Sequence, residues 1–221
     1  MRDIAQTSSP AENENEGETP RLNRRQAAKV RTRQKVLDSA RQLFAERGYE
    51  PATIRDIAKG AGMSTGAVFA NFQDKAELFE AVLTADMVQV AETVRAAAAS
   101  EASVKERLRA ALTATYHASI DQLPLVQAVV ARSWFQPVAA EMRTREAIKP
   151  LVFVISDTLQ TGVREGELSQ DSDVHLLCEL IYDAFLSNYR RAAYDGWTLD
   201  QLTAHMSKQI DVILASAISR Q

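Results

Sequence analysis

The chain has 221 residues, 46% of them hydrophobic and 25% charged, with a formal net charge of −3 and one cysteine, Cys178. That is enough apolar content to bury a real core in one large or two small domains. A single cysteine excludes an intrachain disulfide, and no apolar run approaches the roughly 18 residues that span a bilayer. The acidic, polar start reads as the opposite of a secretory signal, so a cytoplasmic location is expected.

The charge is segregated. Residues 1–19 sum to −4, residues 20–80 to +5, and the remainder to −4. Arg21, Arg24, Arg25, Lys29, Arg31, Arg33 and Lys35 fall within fifteen residues with no acid among them. Salt screens charge beyond about 10 Å, so this local stripe governs phosphate attraction more than the whole-chain balance does. A basic, solvated helix start reads the same way, and charge alone leaves both readings open.

Residues 1–20 carry Ser, Pro, Glu, Asn and Gly with almost nothing apolar, and are expected to form a disordered tail. A first helix is predicted over 27–47, with Val36, Leu37, Ala40, Leu43 and Phe44 as its apolar stripe and Gly48 as its stop. Thr53 is placed to cap a second, short helix that ends at Gly62, and Ser64 a third through residue 72. Asp74 caps a fourth over 75–99. Helices are then expected over 104–120, 124–135, 143–165, 173–194 and 199–219, with Pro150 kinking or dividing the third of these. The fold class is all-α: an N-terminal three-helix helix-turn-helix domain followed by a larger helical ligand-binding and dimerisation domain. The expected boundaries are 1–26 for an acidic then basic tail, 27–90 for the first domain and 91–221 for the second.

The informative stretch is TIRDIAKGAGMSTGAVFANF, residues 53–72. Two helices crossing through a tight turn need a small residue at their contact, which suits Ala58. They need a residue tolerant of positive φ in the turn, which suits Gly62. Ile57, Met63 and Val68 are spaced to lock both helices onto the first. A pair of this kind puts its second helix in the major groove. A plain helical hairpin explains Ala58 and Gly62, but not the short outward side chains Ser64, Thr65, Gly66, Ala67, Ala70 and Asn71, which fit a groove about 12 Å wide.

These residues carry a resemblance. The runs RQKVLDSARQLFAERGYE, ATIRDIAKGAGMSTGAVFANF and QDKAELFEAVL, within 30–90, closely resemble the DNA-binding domain of the TetR family of bacterial regulators. The resemblance implies that Thr53 holds a phosphate, that Ser64, Thr65, Gly66 and Ala67 open the recognition helix, and that Lys75 meets the DNA backbone. Phe69 stands where the family commonly has Tyr, and Asn71 where it often has Tyr or His. Phe69 therefore lacks a hydroxyl for phosphate but can pack on sugar or a thymine methyl, while Asn71 is left to an adenine edge or to phosphate. Arg31 and Arg33 join the expected DNA contacts. Arg21, Arg24 and Arg25 are candidates for a minor-groove arm or for diffuse phosphate attraction.

The resemblance also implies a dimer through the last two helices, for which Leu177, Ile181, Phe185, Met206, Ile210 and Ile213 are the candidate interface. A ligand pocket is expected between the middle helices, with Tyr116, His117, Trp134, Phe135, Met142, Phe153 and Tyr189 as candidates. The expected partners are double-stranded DNA, a second copy of the chain and an unidentified small molecule, with no membrane, and the expected role is a repressor on a palindromic operator. The alternative is a DNA-bound architectural or division-control protein without a small-molecule signal. His117, His175 and His205 lie far apart, and no HExxH, CxxC, GxSxG or Gly-rich phosphate loop occurs, so no enzyme, cofactor or metal is expected.

Overall fold

The computed structural model describes residues 24–218, and the expected tail over 1–20 lies outside them. The described residues form nine α-helices: α1 (Arg24–Arg47), α2 (Ile54–Gly60), α3 (Thr65–Phe69), α4 (Lys75–Ala99), α5 (Val104–Ser119), α6 (Leu123–Ser133), α7 (Val138–Arg164), α8 (Val174–Asp195) and α9 (Leu199–Leu214). Most start where a side chain satisfies an orphan backbone N–H. Thr53, Ser64, Asp74, Ser103, Asp173 and Thr198 each accept such a bond, and Ser103–Glu106 and Thr198–Gln201 close reciprocal capping boxes.

Four boundaries differ from expectation by three residues or more. α1 begins at Arg24, three residues early, and α3 stops at Phe69 rather than running to 72. α7 begins at Val138, because Pro137 takes the position before the helix and Ala139, Ala140 and Glu141 propagate it. Pro150 does not divide α7, which absorbs one missing N–H and continues to Arg164. α9 ends at Leu214, after which the chain turns back so that Ser169 N–H donates to Ala217 O at 2.8 Å and Leu168 pairs with Ile218.

Two cores result. The first gathers Val36, Ala40, Phe44, Ile57, Val68, Phe72, Leu78, Phe79 and Val82 from α1–α4, and takes Leu125 from α6. The second gathers Val94 and Ala98 of α4 with residues of α5, α7, α8 and α9 around Leu108, Ile155, Leu159, Ile181 and Ile210. α4 is the one helix that contributes buried residues to both. Its buried Glu80 carboxylate accepts from the Arg143 guanidinium of α7, and its Asp86 accepts from Arg41 Nε of α1 at 2.7 Å.

Candidate nucleic-acid interface

The turn between α2 and α3 closes by backbone bonds. Met63 N–H donates to Ala58 O at 2.8 Å and Gly62 N–H to Lys59 O at 3.1 Å, with Gly62 at φ +68°, the left-handed Gly cap that ends many helices. Ala58 and Ile57 are buried, Val68 is fully buried and Met63 packs at the edge of the same core. Sequence reasoning missed a second contact between α1 and α2. The Ser39 hydroxyl donates to Ile57 O at 2.8 Å, and a Cβ added to Gly60 would lie 2.3 Å from Ser39 Oγ. A buried serine facing a glycine one helix away is a signal that only the fold makes readable.

This scaffold leaves Ser64, Thr65, Gly66, Phe69 and Ala70 exposed, with Ala67 half-buried beside them. The outer face of α3 is therefore short side chains around one apolar ring, Phe69, which is 54% exposed. Arg31 on α1 and Arg55 and Lys59 on α2 are exposed cations on adjoining helices. Arg24 opens α1 and is exposed, whereas Arg21 lies outside the described residues.

Several expected contacts are already engaged. The Thr53 hydroxyl accepts from Asp56 N–H at 3.1 Å and donates to Asp56 Oδ2 at 2.7 Å, which holds the Asp56 carboxyl below its ordinary value. That hydrogen is thus committed to a neighbouring carboxylate. Asn71 Nδ2 donates to Ala67 O at 2.9 Å, and its buried Oδ1 has no hydrogen-bond partner among the described residues. Arg33 Nη1 donates to Asn71 O at 2.9 Å while its guanidinium lies 4.1 Å from the Phe72 ring centre. Asn71 and Arg33 together fasten the end of α3 to α1. Lys75 Nζ donates to Tyr49 O at 2.9 Å and Glu50 O at 3.2 Å and lies 4.2 Å from the Tyr49 ring centre. Arg132 of α6 stacks on the same Tyr49 ring at 4.0 Å.

The expected pocket residues do not converge. Tyr116 and Tyr189 are buried core: the Tyr116 hydroxyl donates to Phe185 O and accepts from Asn188 Nδ2, and the Tyr189 hydroxyl pairs with Ser119 Oγ. Burial pushes both phenols far above their ordinary value. Trp134, Phe135 and Met142 face outward where α6 turns into α7, and Phe153 lines a surface cavity of about 260 Å³ with Arg95, Arg107 and Asp157. His117 borders a separate open hollow of about 440 Å³.

The expected dimer residues need a similar correction. Leu177, Ile181, Phe185, Met206 and Ile210 are buried in their own subunit's second core, and Ile213 is half-buried against it. Both helices have a wide apolar face because α9 packs on α5 and α8, and α8 also on α6 and α7. Leu176 and Leu180 of α8 and Val212 of α9 remain on the outer faces. Cys178 is buried beside Val152, and burial raises its thiol, as a small apolar residue requires.

Comparison with known proteins agrees with this geometry. The family model described as bacterial regulatory proteins, tetR family, matches residues 36–82. The repressor KstR2 of Mycobacterium tuberculosis is 31% identical over 163 residues, spanning 72% of this chain and 80% of that protein. The repressor AcnR of Corynebacterium efficiens is 48% identical over 65 residues, 29% of this chain and only 35% of that protein. The solved structure of FadR from Bacillus subtilis with stearoyl-CoA superposes at a TM-score of 0.72 and 19% identity, covering 82% of this chain and 97% of that one. Among the described residues, no helix is long and apolar enough to cross a membrane.

Proposed function

This chain belongs to the TetR family of bacterial transcriptional regulators, DNA-binding proteins rather than enzymes, and from that premise we propose that it is a repressor that binds a palindromic operator as a homodimer and leaves it when a small molecule binds. The observation that carries the DNA half is the outer face of α3: Thr65, Gly66 and Ala70 around an exposed Phe69, on a helix capped at Ser64 and fastened at Asn71. Short side chains let the helix axis approach base edges, and Phe69 offers apolar contact to a thymine methyl. Two such helices on a two-fold dimer read half-sites about one DNA turn apart, which is why the operator is expected to be palindromic. The outer faces of α8 and α9, with Leu176, Leu180 and Val212, are the surfaces open to a second copy.

One observation favours the alternative of a DNA-bound architectural or division-control protein with no small-molecule signal. The cavity at Phe153, about 260 Å³, is smaller than the roughly 300–1,000 Å³ of ordinary ligand sites, and the hollow at His117 is open. In the ligand-responsive reading, the effector has to open the second core and must bind the released form more tightly than the DNA-bound one. The FadR structures solved with stearoyl-CoA and lauroyl-CoA make an acyl-CoA the first probe.

The deciding experiment selects DNA bound by the full chain from a random pool, then challenges the complex with acyl-CoAs of increasing chain length. A two-fold symmetric consensus and release by one of them is expected. A consensus without symmetry sinks the dimeric operator, and a complex that no metabolite class releases hands the function to the architectural reading.

A further inference from the structure

The largest uncovered apolar side chains of the C-terminal half sit together where α6 turns into α7. Trp134 is 80% exposed and Phe135 91%, and Val138 and Met142, one turn apart on α7, are exposed beside them. Single exposed apolar residues are ordinary, but two aromatic rings alone amount to roughly 300 Å², and monomers seldom show contiguous patches beyond a few hundred. The tip is an ordered turn. Phe135 and Gln136 N–H both donate to Arg132 O, at 3.1 and 2.9 Å, and Gln136 Nε2 donates to Glu141 Oε2 at 2.6 Å. Its base is fixed where Arg132 stacks on Tyr49.

We propose that this tip is part of the homodimer contact, with a second copy of the chain covering Trp134 and Phe135. The proposal rests on the reading above that the protein is a dimer joined through the outer faces of α8 and α9. Two observations select a second copy as the occupant. First, those outer faces carry few large apolar side chains: Leu176 and Leu180 are only half-exposed, Tyr194 stands at the last turn of α8, and Val212 is the one on α9. A stable dimer buries about 800 Å² or more per subunit around an apolar centre, which four such side chains, one of them at the far end of α8, do not supply alone. Second, the tip adjoins α8. Both α6 and α7 pack on α8, and Glu141 lies close enough to Tyr182 to act with burial and Asp183 in raising its phenol. The uncovered rings therefore extend the α8 face in the direction where apolar area is lacking. Because a two-fold contact uses the same patch on both subunits, the tip also ties α6, the helix packed on the DNA-binding core, to the partner.

The test uses the full chain. Sedimentation across a dilution series gives the dimer dissociation constant for wild type, for W134S/F135S and for L180E on the α8 face. In a W197F background Trp134 is the single tryptophan. The expected results are a dimeric wild type and a constant weakened about thirtyfold or more in W134S/F135S, the scale of an aromatic hot spot. Helicity should be unchanged, and Trp134 emission should move to shorter wavelength as the dimer forms. A dimer broken by L180E but indifferent to W134S/F135S overturns the proposal and leaves the α8–α9 reading standing. A wild type that stays monomeric overturns both. Emission that ignores association but shifts on addition of anionic lipid vesicles assigns the tip to a membrane surface and also overturns it.

Discussion

Lys75 commits two of its ammonium hydrogens to the carbonyls of Tyr49 and Glu50, which leaves one for an incoming phosphate. Its position at the start of α4 is what the family pattern implies, but its bonds cross 25 and 26 residues of sequence, so one side chain serves both the fold and the interface. Lys75→Ala is accordingly expected to have two effects. Stability should fall by about 1 kcal/mol through the lost strap, and the salt dependence of operator binding should become shallower by about one unit through the lost phosphate. Melting curves and binding isotherms across a salt series separate them, and an unchanged slope would reduce Lys75 to a strap. Phe69 has the opposite character. Its ring touches water over half its area, so Phe69→Ala should leave stability within about 0.5 kcal/mol of wild type. Operator affinity should nevertheless fall about tenfold, as expected for a ring against a thymine methyl. Equal affinity for the two chains would mean that Phe69 does not face the groove.

At the scale of the helix, the decisive contacts are close approaches. A Cβ on Gly162 of α7 would lie 2.8 Å from Val104 Cγ2 and 3.0 Å from Val104 Cβ, with Leu168 Cδ1 at 3.3 Å. Glycine inside a helix ordinarily costs about 1 kcal/mol relative to alanine, so on propensity alone Gly162→Ala would stabilise. The crowding at Val104 reverses the sign, and a loss of about 1–3 kcal/mol is expected by chemical denaturation. A gain would show that α5 can move away from α7. Such approaches are also what the sequence cannot display. The caps at Thr53, Ser64 and Asp74 were legible because cap and partner lie three residues apart. The Gly62 turn was legible because positive φ leaves few choices of residue. Gly60 against Ser39, Arg33 on Asn71 O and Arg132 on Tyr49 were not, since each joins helices far apart in the chain. The apolar faces of α8 and α9 were legible as apolar, but not whether the same subunit or a second copy covers them, because periodicity reports a buried face without saying which neighbour buries it. The seven pocket candidates scatter for a related reason: residue type cannot separate a ring filling a core, as Tyr116 does, from one held in water, as Trp134 is, or one beside a cavity, as Phe153 is.

Across the whole molecule, α4 runs for 25 residues through two cores, and Leu125 is the one fully committed member that α6 contributes to the first of them. The Glu80–Arg143 and Arg41–Asp86 pairs bind the same helix to α7 on one side and α1 on the other. Burial raises the Asp86 carboxyl, and Arg41 offsets that in part, so this junction holds charge at some cost and is not a simple apolar weld. The first core is small, and domains of its size keep only a few kcal/mol in reserve. Removing the Leu125 side chain leaves a cavity worth about 2–5 kcal/mol, a large part of that reserve. Leu125→Ala should therefore split thermal unfolding into two transitions. Operator binding would be lost in the lower one while the helicity of α5 and α7–α9 persists to the upper. Leu159→Ala, fully buried in the second core, should lower the upper transition instead. If Leu125→Ala melts in a single transition shifted as a whole, α4 couples the two cores too tightly for either to open alone. Any signal passing from the C-terminal half to α3 would then have to move them as one body.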